Sequence, residues 1–365
     1  MGFDAFFGNA TTVQHLREGI RAGRIPPALI LAGPKGSGKY TLALMLAQAI
    51  NCLRQPESDG LPDFCGECKN CLRIAEAQPL ETRVEEAVTA REDMRDADKK
   101  ETRILIQTHP DILIVPPDPP QLLIKMGQVR RVIHSMYRFP SDARHAIYIF
   151  TSTAFMKEAA NSLLKILEEP PAFASIFLLA ENTGELLPTI RSRSVVYRLG
   201  ALPTASLEAL LSQRHPEWKP PQRALVARLA EGAVGRALGF DLPGYAASRQ
   251  DALIMIKNAL TEPDHSVLFR MTETYRAGAD GQQKTSALLR ALSSLLEDLM
   301  LLQSGAASLV RNIDMLPELT RLSTAISLGW IESAARGLNQ VEAGMRRNLL
   351  RSLSLDAFAT ELASS

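Results

Sequence analysis

The apolar run Ala28-Leu29-Ile30-Leu31-Ala32 breaks into Gly33-Pro34-Lys35-Gly36-Ser37-Gly38-Lys39 and, after Tyr40, resumes as the helix-forming stretch 41–50. Five apolar residues without alternation suit a strand buried on both faces, and the longer run behind them suits a helix packed back onto it. A strand that passes into a helix through so many glycines leaves few folds open. The same alternation recurs. Residues 112–115 (ILIV) precede a helical 128–137, residues 146–150 (AIYIF) precede a helical 158–169, and 175–180 (SIFLLA) is a further apolar run. Strands alternating with helices predict an α/β fold with a parallel sheet covered on both faces. Upstream, Val13, Leu16 and Ile20 at helical spacing predict a helix over 11–22, ended before Pro26-Pro27.

At roughly 150 residues per domain, 365 residues make two to three domains, and 46% apolar content can fill more than one core. After Leu202 the strand-like runs stop and the chain reads helical, with a break at Asp241-Leu242-Pro243-Gly244. We therefore expect an α/β domain over 1–200, a small helical part over 201–243 and a helical domain over 244–365. Within the last, Leu288, Leu289, Leu292, Leu295, Leu296, Leu299 and Leu302 form a broad stripe that needs a partner surface, in the same domain or on a neighbouring chain. Forty-one Lys and Arg against forty Asp and Glu leave a formal charge of +1, so no global field draws the chain onto nucleic acid. Any such contact must come from a partner or from a local patch, for which Arg130-Arg131 with Lys125 nearby is a candidate, although charges on an amphipathic helix usually describe only its wet face. The apolar runs fall short of the roughly 20 residues that span a bilayer. With no secretory pattern in the first ten residues, a soluble cytoplasmic protein without a membrane partner is expected.

In GxxxxGK, set between a strand and a helix, backbone N–H groups can surround a polyphosphate while Lys39 neutralises it. Gly33, Gly36, Gly38 and Lys39 are therefore candidate ATP- or ADP-binding residues. The next residue is Tyr40 rather than the Ser or Thr whose hydroxyl holds Mg²⁺. Thr41 cannot replace it, because one further residue rotates a helical side chain by about 100°. Where a nucleotide hydrolase ends a strand with metal-binding and water-orienting carboxylates, residues 146–150 continue as Thr151-Ser152-Thr153. Two independent catalytic parts are missing. The loop either keeps a nucleotide without hydrolysing it or keeps only its turn.

All four cysteines fall in the segment 52–71, as Cys52-x12-Cys65-x2-Cys68-x2-Cys71. Four thiolates so spaced suit a closed tetrahedral Zn²⁺ site that staples a small excursion, with redox chemistry as the alternative. A charged insertion follows at about 79–108, with eight acids and five bases in 81–101, and reads as a solvated helix or a disordered segment. His109, before Pro110-Asp111, reads as a turn residue rather than a metal ligand.

The phosphate loop, the cysteine insertion directly after its helix, His109-Pro110-Asp111, the stretch from Asn161 to Pro171 (NSLLKILEEPP) and that from Leu187 to Ser194 (LPTIRSRS) together resemble the bacterial DNA polymerase III clamp loader, of the AAA+ class. The resemblance implies an AAA+ α/β domain with a zinc module, a helical lid and an all-α collar through which subunits assemble. Tyr40 and Thr151-Ser152-Thr153 make the chain more similar to the stator-type, delta-prime branch than to the ATP-hydrolysing motor, which is the alternative. The family's Ser-Arg-Cys motif falls on Ser192-Arg193-Ser194, which implies that Arg193 is an arginine finger supplied in trans. Gly235-Arg236-Ala237 matches the second sensor motif, which places Arg236 beside the ATP site. The implied role is a component of the DNA polymerase III holoenzyme, a DNA-directed DNA polymerase, without independent ATPase activity. The implied partners are the motor and delta subunits, the sliding clamp and primed DNA. An isolated zinc-dependent DNA-binding protein is disfavoured by the neutral charge. The insertion at 79–108 departs from the family pattern.

Overall fold

The computed structural model describes residues 2–261, 270, 272, 275, 278–346 and 351–364. Its strands are β1 (Ala28–Ala32), β2 (Glu57–Ser58), β3 (Leu61–Pro62), β4 (Ile106–His109), β5 (Ile112–Val115), β6 (Ala146–Phe150), β7 (Ala174–Ala180) and β8 (Val195–Arg198). Six of them form one sheet in the order β4-β5-β6-β7-β1-β8. Every pairing in it is parallel except β4 with β5, which turn back on each other through Pro110-Asp111. The sheet is covered on both faces, as the uninterrupted apolar runs predict. Leu29, Leu31, Phe177 and Leu179 enter one core together with the helices Ala10–Arg21 and Lys39–Asn51. Ala28, Ile30, Ile176 and Leu178 enter a second core with the helices Met126–Met136 and Lys157–Glu168. Alternate residues of one strand thus serve two cores.

The chain divides into two compact units, Met1–Pro203 with Gly232–Arg236, and Thr204–Glu231 with Ala237–Ser365. In the second unit the leucine stripe finds its partner within the unit. Leu288, Leu289, Leu292, Leu295, Leu296 and Leu299 are buried in one cluster with Ile256, Leu319, Trp330, Leu338 and Phe358, and Leu302 packs at its edge. A polar knot pins this cluster: the fully buried Asp298 accepts the Arg311 and Asn312 backbone N–H groups at 2.8 and 2.9 Å.

Within the first unit, the charged insertion forms the helices Leu80–Glu92 and Asp96–Glu101, the solvated-helix alternative of the two expected. No residue of Leu80–Glu92 is fully buried, but Leu80 and Val84 lean on the core. Arg91 provides a second anchor by donating to Asp118, a carboxylate with no exposed surface. Lys125 Nζ and Arg103 Nε approach the same carboxylate at 3.4 and 3.9 Å. A buried charge stripped of its partner costs several kcal/mol, and two cations remain to share the load here. Arg91→Ala should therefore lower stability by about 1–3 kcal/mol in urea unfolding, with Arg91→Lys recovering part. A loss within the ±0.5 kcal/mol typical of surface substitutions would mean that the insertion is not anchored through this pair.

Candidate functional site

The glycine loop joins the carboxyl end of β1 to the helix Lys39–Asn51, where open α/β sheets bind their ligands. Gly36 and Gly38 have φ of +81° and +87°, which side chains rarely adopt. Space is short as well. A Cβ at Gly36 would lie 2.9 Å from the Arg236 backbone nitrogen, and one at Gly38 would lie 2.9 Å from the Phe6 ring. Gly235 N–H donates to the Gly36 carbonyl at 2.7 Å, so the segment Gly232–Arg236 is tied to the loop and brings Arg236 beside it. Lys39 Nζ folds back on the loop, donating to the Gly33 and Pro34 carbonyls at 2.7 and 2.8 Å. Burial lowers the pKa of its ammonium from the ordinary lysine value, partly offset by the Glu181 carboxylate. Ser37 Oγ is buried in the loop without a hydrogen-bond partner. Such an orphaned hydroxyl, with the Lys39 ammonium, fits an anion such as a phosphate. The Tyr40 hydroxyl, at the position where the sequence lacks the Ser or Thr of a metal-binding loop, donates to the Ala77 carbonyl at 2.8 Å, beyond the cysteine segment.

Thr151-Ser152-Thr153 follows β6 at the same edge of the sheet. Thr153 is buried, and its hydroxyl donates to Glu185 Oε2 at 2.9 Å. Glu185, and Glu181 directly after β7, are carboxylates that motif reading passed over. The available signal was the position of Glu181 at the end of an apolar strand run, but its nearness to Lys39 depends on β7 pairing with β1.

Arg193 sits at the opposite edge. β1 and β8 are parallel, with Leu29 opposite Val195 and Ala32 opposite Arg198, so the loop follows their carboxyl ends and Arg193 precedes their amino ends. At ~3.3 Å per strand residue the six-residue offset separates Arg193 from its own loop by about 20 Å. Its guanidinium is about a third exposed, bonded to the Thr189 carbonyl at 3.1 Å and to Glu168 Oε1 at 2.9 Å. Arg130 and Arg131 are exposed on the helix Met126–Met136, whereas Lys125 is engaged by Asp118.

The cysteines converge as their spacing predicts. All four Sγ atoms lie within 4.8 Å of one another, with Cys52 and Cys65 at 3.6 Å. A tetrahedron with Zn–S bonds of about 2.3 Å has edges of about 3.8 Å, so the cluster fits the ion. Backbone N–H groups of Gln55 and Cys65 point at Cys52 Sγ, at 3.2 and 3.4 Å, and that of Cys68 at Cys65 Sγ, at 3.3 Å. Burial opposes ionisation of Cys68, yet the N–H groups of Cys71 and Leu53 and the neighbouring sulfurs outweigh it and bring the thiol down to about 6. Cys71 is pushed the other way by burial and by Cys68. Four adjacent thiols cannot all ionise without a cation among them. His109 stands outside this cluster; it is the fully buried last residue of β4 rather than the turn residue expected, and its Nδ1 accepts the Asp111 N–H at 3.2 Å across the turn that follows. Asp111 in turn holds the loop 141–143, whose Asp142 pairs with Lys69 and Arg73 on the cysteine-bearing helix, at 3.0 and 3.1 Å.

Residues 8–203 match the family described as DNA polymerase III, delta subunit. Among curated proteins, the chain is 26% identical over 356 residues to the DNA polymerase III subunit tau of Escherichia coli (strain K12), covering 95% of this chain and 47% of that one. It is 30% identical over 179 residues to the delta' subunit of Bacillus subtilis (strain 168), covering 49% and 43%. The chain thus spans about half the length of the curated relatives it matches. A Thermotoga maritima DNA polymerase III gamma subunit-related protein of known structure aligns over 97% of this chain and 99% of its own, with a TM-score of 0.46 and 15% identity. No helix among the described residues is long and apolar enough to cross a membrane.

Proposed function

We propose, for a chain that belongs to the DNA polymerase III delta subunit family, the role of a non-hydrolysing, stator-type subunit of the bacterial clamp loader. The observation that carries this reading is Tyr40, whose hydroxyl is spent on the Ala77 carbonyl where a hydrolase would hold its metal. Thr151-Ser152-Thr153 supports it from the neighbouring strand. In this reading 1–200 is an AAA+ domain, 201–243 its lid and 244–365 the collar that joins the motor and delta subunits. The assembly places the sliding clamp on primed DNA. Cys52, Cys65, Cys68 and Cys71 hold a structural Zn²⁺, which supplies a rigid four-thiolate staple with no open position for a substrate. Arg193, exposed at the edge away from its own loop, serves the ATP held by a neighbouring motor subunit. Lys39 and the glycines retain at most a weak grip on ATP or ADP, with Arg236 alongside.

The test compares the chain alone with the chain mixed with motor subunit, reading ATP turnover and complex size. The chain alone should show turnover no higher than buffer, and the mixture should elute as a larger complex whose turnover is that of the motor. Turnover by the isolated chain that vanishes in Lys39→Ala would establish a motor subunit instead.

A further inference from the structure

The guanidinium of Arg193 is held by two acceptors on two separate elements. Nη1 bonds the Thr189 carbonyl at 3.1 Å, within the short helix Pro188–Ser192 that Arg193 itself ends. Nη2 bonds Glu168 Oε1 at 2.9 Å, and Glu168 is the last residue of the helix Lys157–Glu168. Both supports have fixed backbones. Leu163, Ile166 and Leu167 bury the long helix against the sheet, and Ile190 buries the short one in the same core. Pro170 and Pro171 end the long helix close behind Glu168. The two bonds use two of the five donors of a guanidinium, leaving three for an anion.

We propose that Glu168 is a positioning residue for Arg193, holding the guanidinium in the pose from which it meets the nucleotide of the adjacent subunit. The inference rests on the reading of Arg193 as a finger supplied in trans. An arginine side chain has many rotamers, and an unsupported one would spend little time aimed across a subunit boundary. A half-exposed ion pair suits this task. It biases a rotamer population by ~2- to 5-fold, enough to favour one pose and too little to withhold the guanidinium from a phosphate. Glu168 touches neither nucleotide nor reacting atoms and acts only through Arg193.

The test is clamp loading by a reconstituted complex containing wild type, Glu168→Ala, Glu168→Gln, Arg193→Ala or the double variant Glu168→Ala/Arg193→Ala, with the neighbouring acid changed in Glu169→Ala as a control. Glu168→Ala should lower the loading rate ~3-fold with the KM for ATP unchanged. Glu168→Gln should restore most of it, because the amide oxygen still accepts from Nη2. Glu169→Ala should leave it unchanged. Glu168→Ala should have no further effect once Arg193 is alanine, a non-additivity that a merely structural role would not produce. Loading by Glu168→Ala equal to or above wild type, or an equal loss in the Arg193→Ala background, would overturn the assignment while leaving the finger in place. Full activity of Arg193→Ala would overturn the finger itself, and the positioning role with it.

Discussion

Arg193→Ala should leave folding, metal content and complex assembly intact while lowering clamp loading at least ~10-fold. The geometry accounts for the first half of that expectation, and the proposed role of Arg193 for the second. Arg193 is partly exposed and its two bonds are surface bonds, so truncation costs the fold little. A guanidinium supplied across a boundary stabilises charge spreading over the transferring phosphoryl group, and such fingers are worth ~10³–10⁵ in rate at the site they serve. Bulk ATP turnover should fall less than loading where other sites of the complex keep their own arginines. Arg193→Lys should rescue poorly, because an ammonium cannot keep the Thr189 and Glu168 bonds and present a planar fork as well. Unchanged loading and ATPase at saturating clamp and primed DNA would leave the subunit a passive scaffold.

How much of this was readable in advance depended on whether the interaction was local. The turn from β1 into its helix was legible because Gly36 and Gly38 sit where a side chain is penalised both by φ and by space. The cysteine cluster was legible because its spacing nearly dictates its geometry. The antiparallel β4 was not. Its burial is interrupted at Gln107 and Thr108, and it lacks the continuous apolar run of β5. β8 was passed over for a similar reason, since its pattern is half exposed. Tyr40 reads in sequence as a missing hydroxyl, and only packing reveals that the phenol is a tether to Ala77. The insertion is the sharpest case. Its charge pattern describes a solvated segment, and what orders it is Arg91 reaching a carboxylate that Pro116, Pro117, Pro119 and Pro120 make look like a loop residue. Pairings of this kind, set by distant chain segments, leave no periodic trace.

The second large effect concerns the cysteines. Purified chain should carry about one zinc ion, and Cys68→Ser should lose it, because three thiolates leave the tetrahedron incomplete. The consequence should be larger than a missing surface staple, since Cys52, Cys68 and Cys71 are buried within the core that Phe64, Ile74 and the helix Lys39–Asn51 share. Without the ion, adjacent thiols that favour ionisation at Cys68 and oppose it at Cys71 remain packed together in an apolar site. A cost of about 4 kcal/mol is in the range seen for loss of a structural metal, and for a domain of this size it corresponds to a fall in melting temperature of about 10 °C. Loosening should spread along named bonds. Asn70 donates to the Asn51 and Asp142 carbonyls at 3.1 and 3.2 Å, and Asn51 in turn accepts the Arg144 and His145 N–H groups at 3.0 and 2.9 Å. Hydrogen exchange should therefore rise over 52–77 and again at 141–145, while β1, β6 and β7 stay protected. Wild type stripped by a chelator should reproduce the pattern, and added zinc should reverse it in wild type but not in Cys68→Ser. A metal-free wild type with an unchanged melting temperature would remove zinc from the structure's support, leaving the four thiols as ordinary core residues.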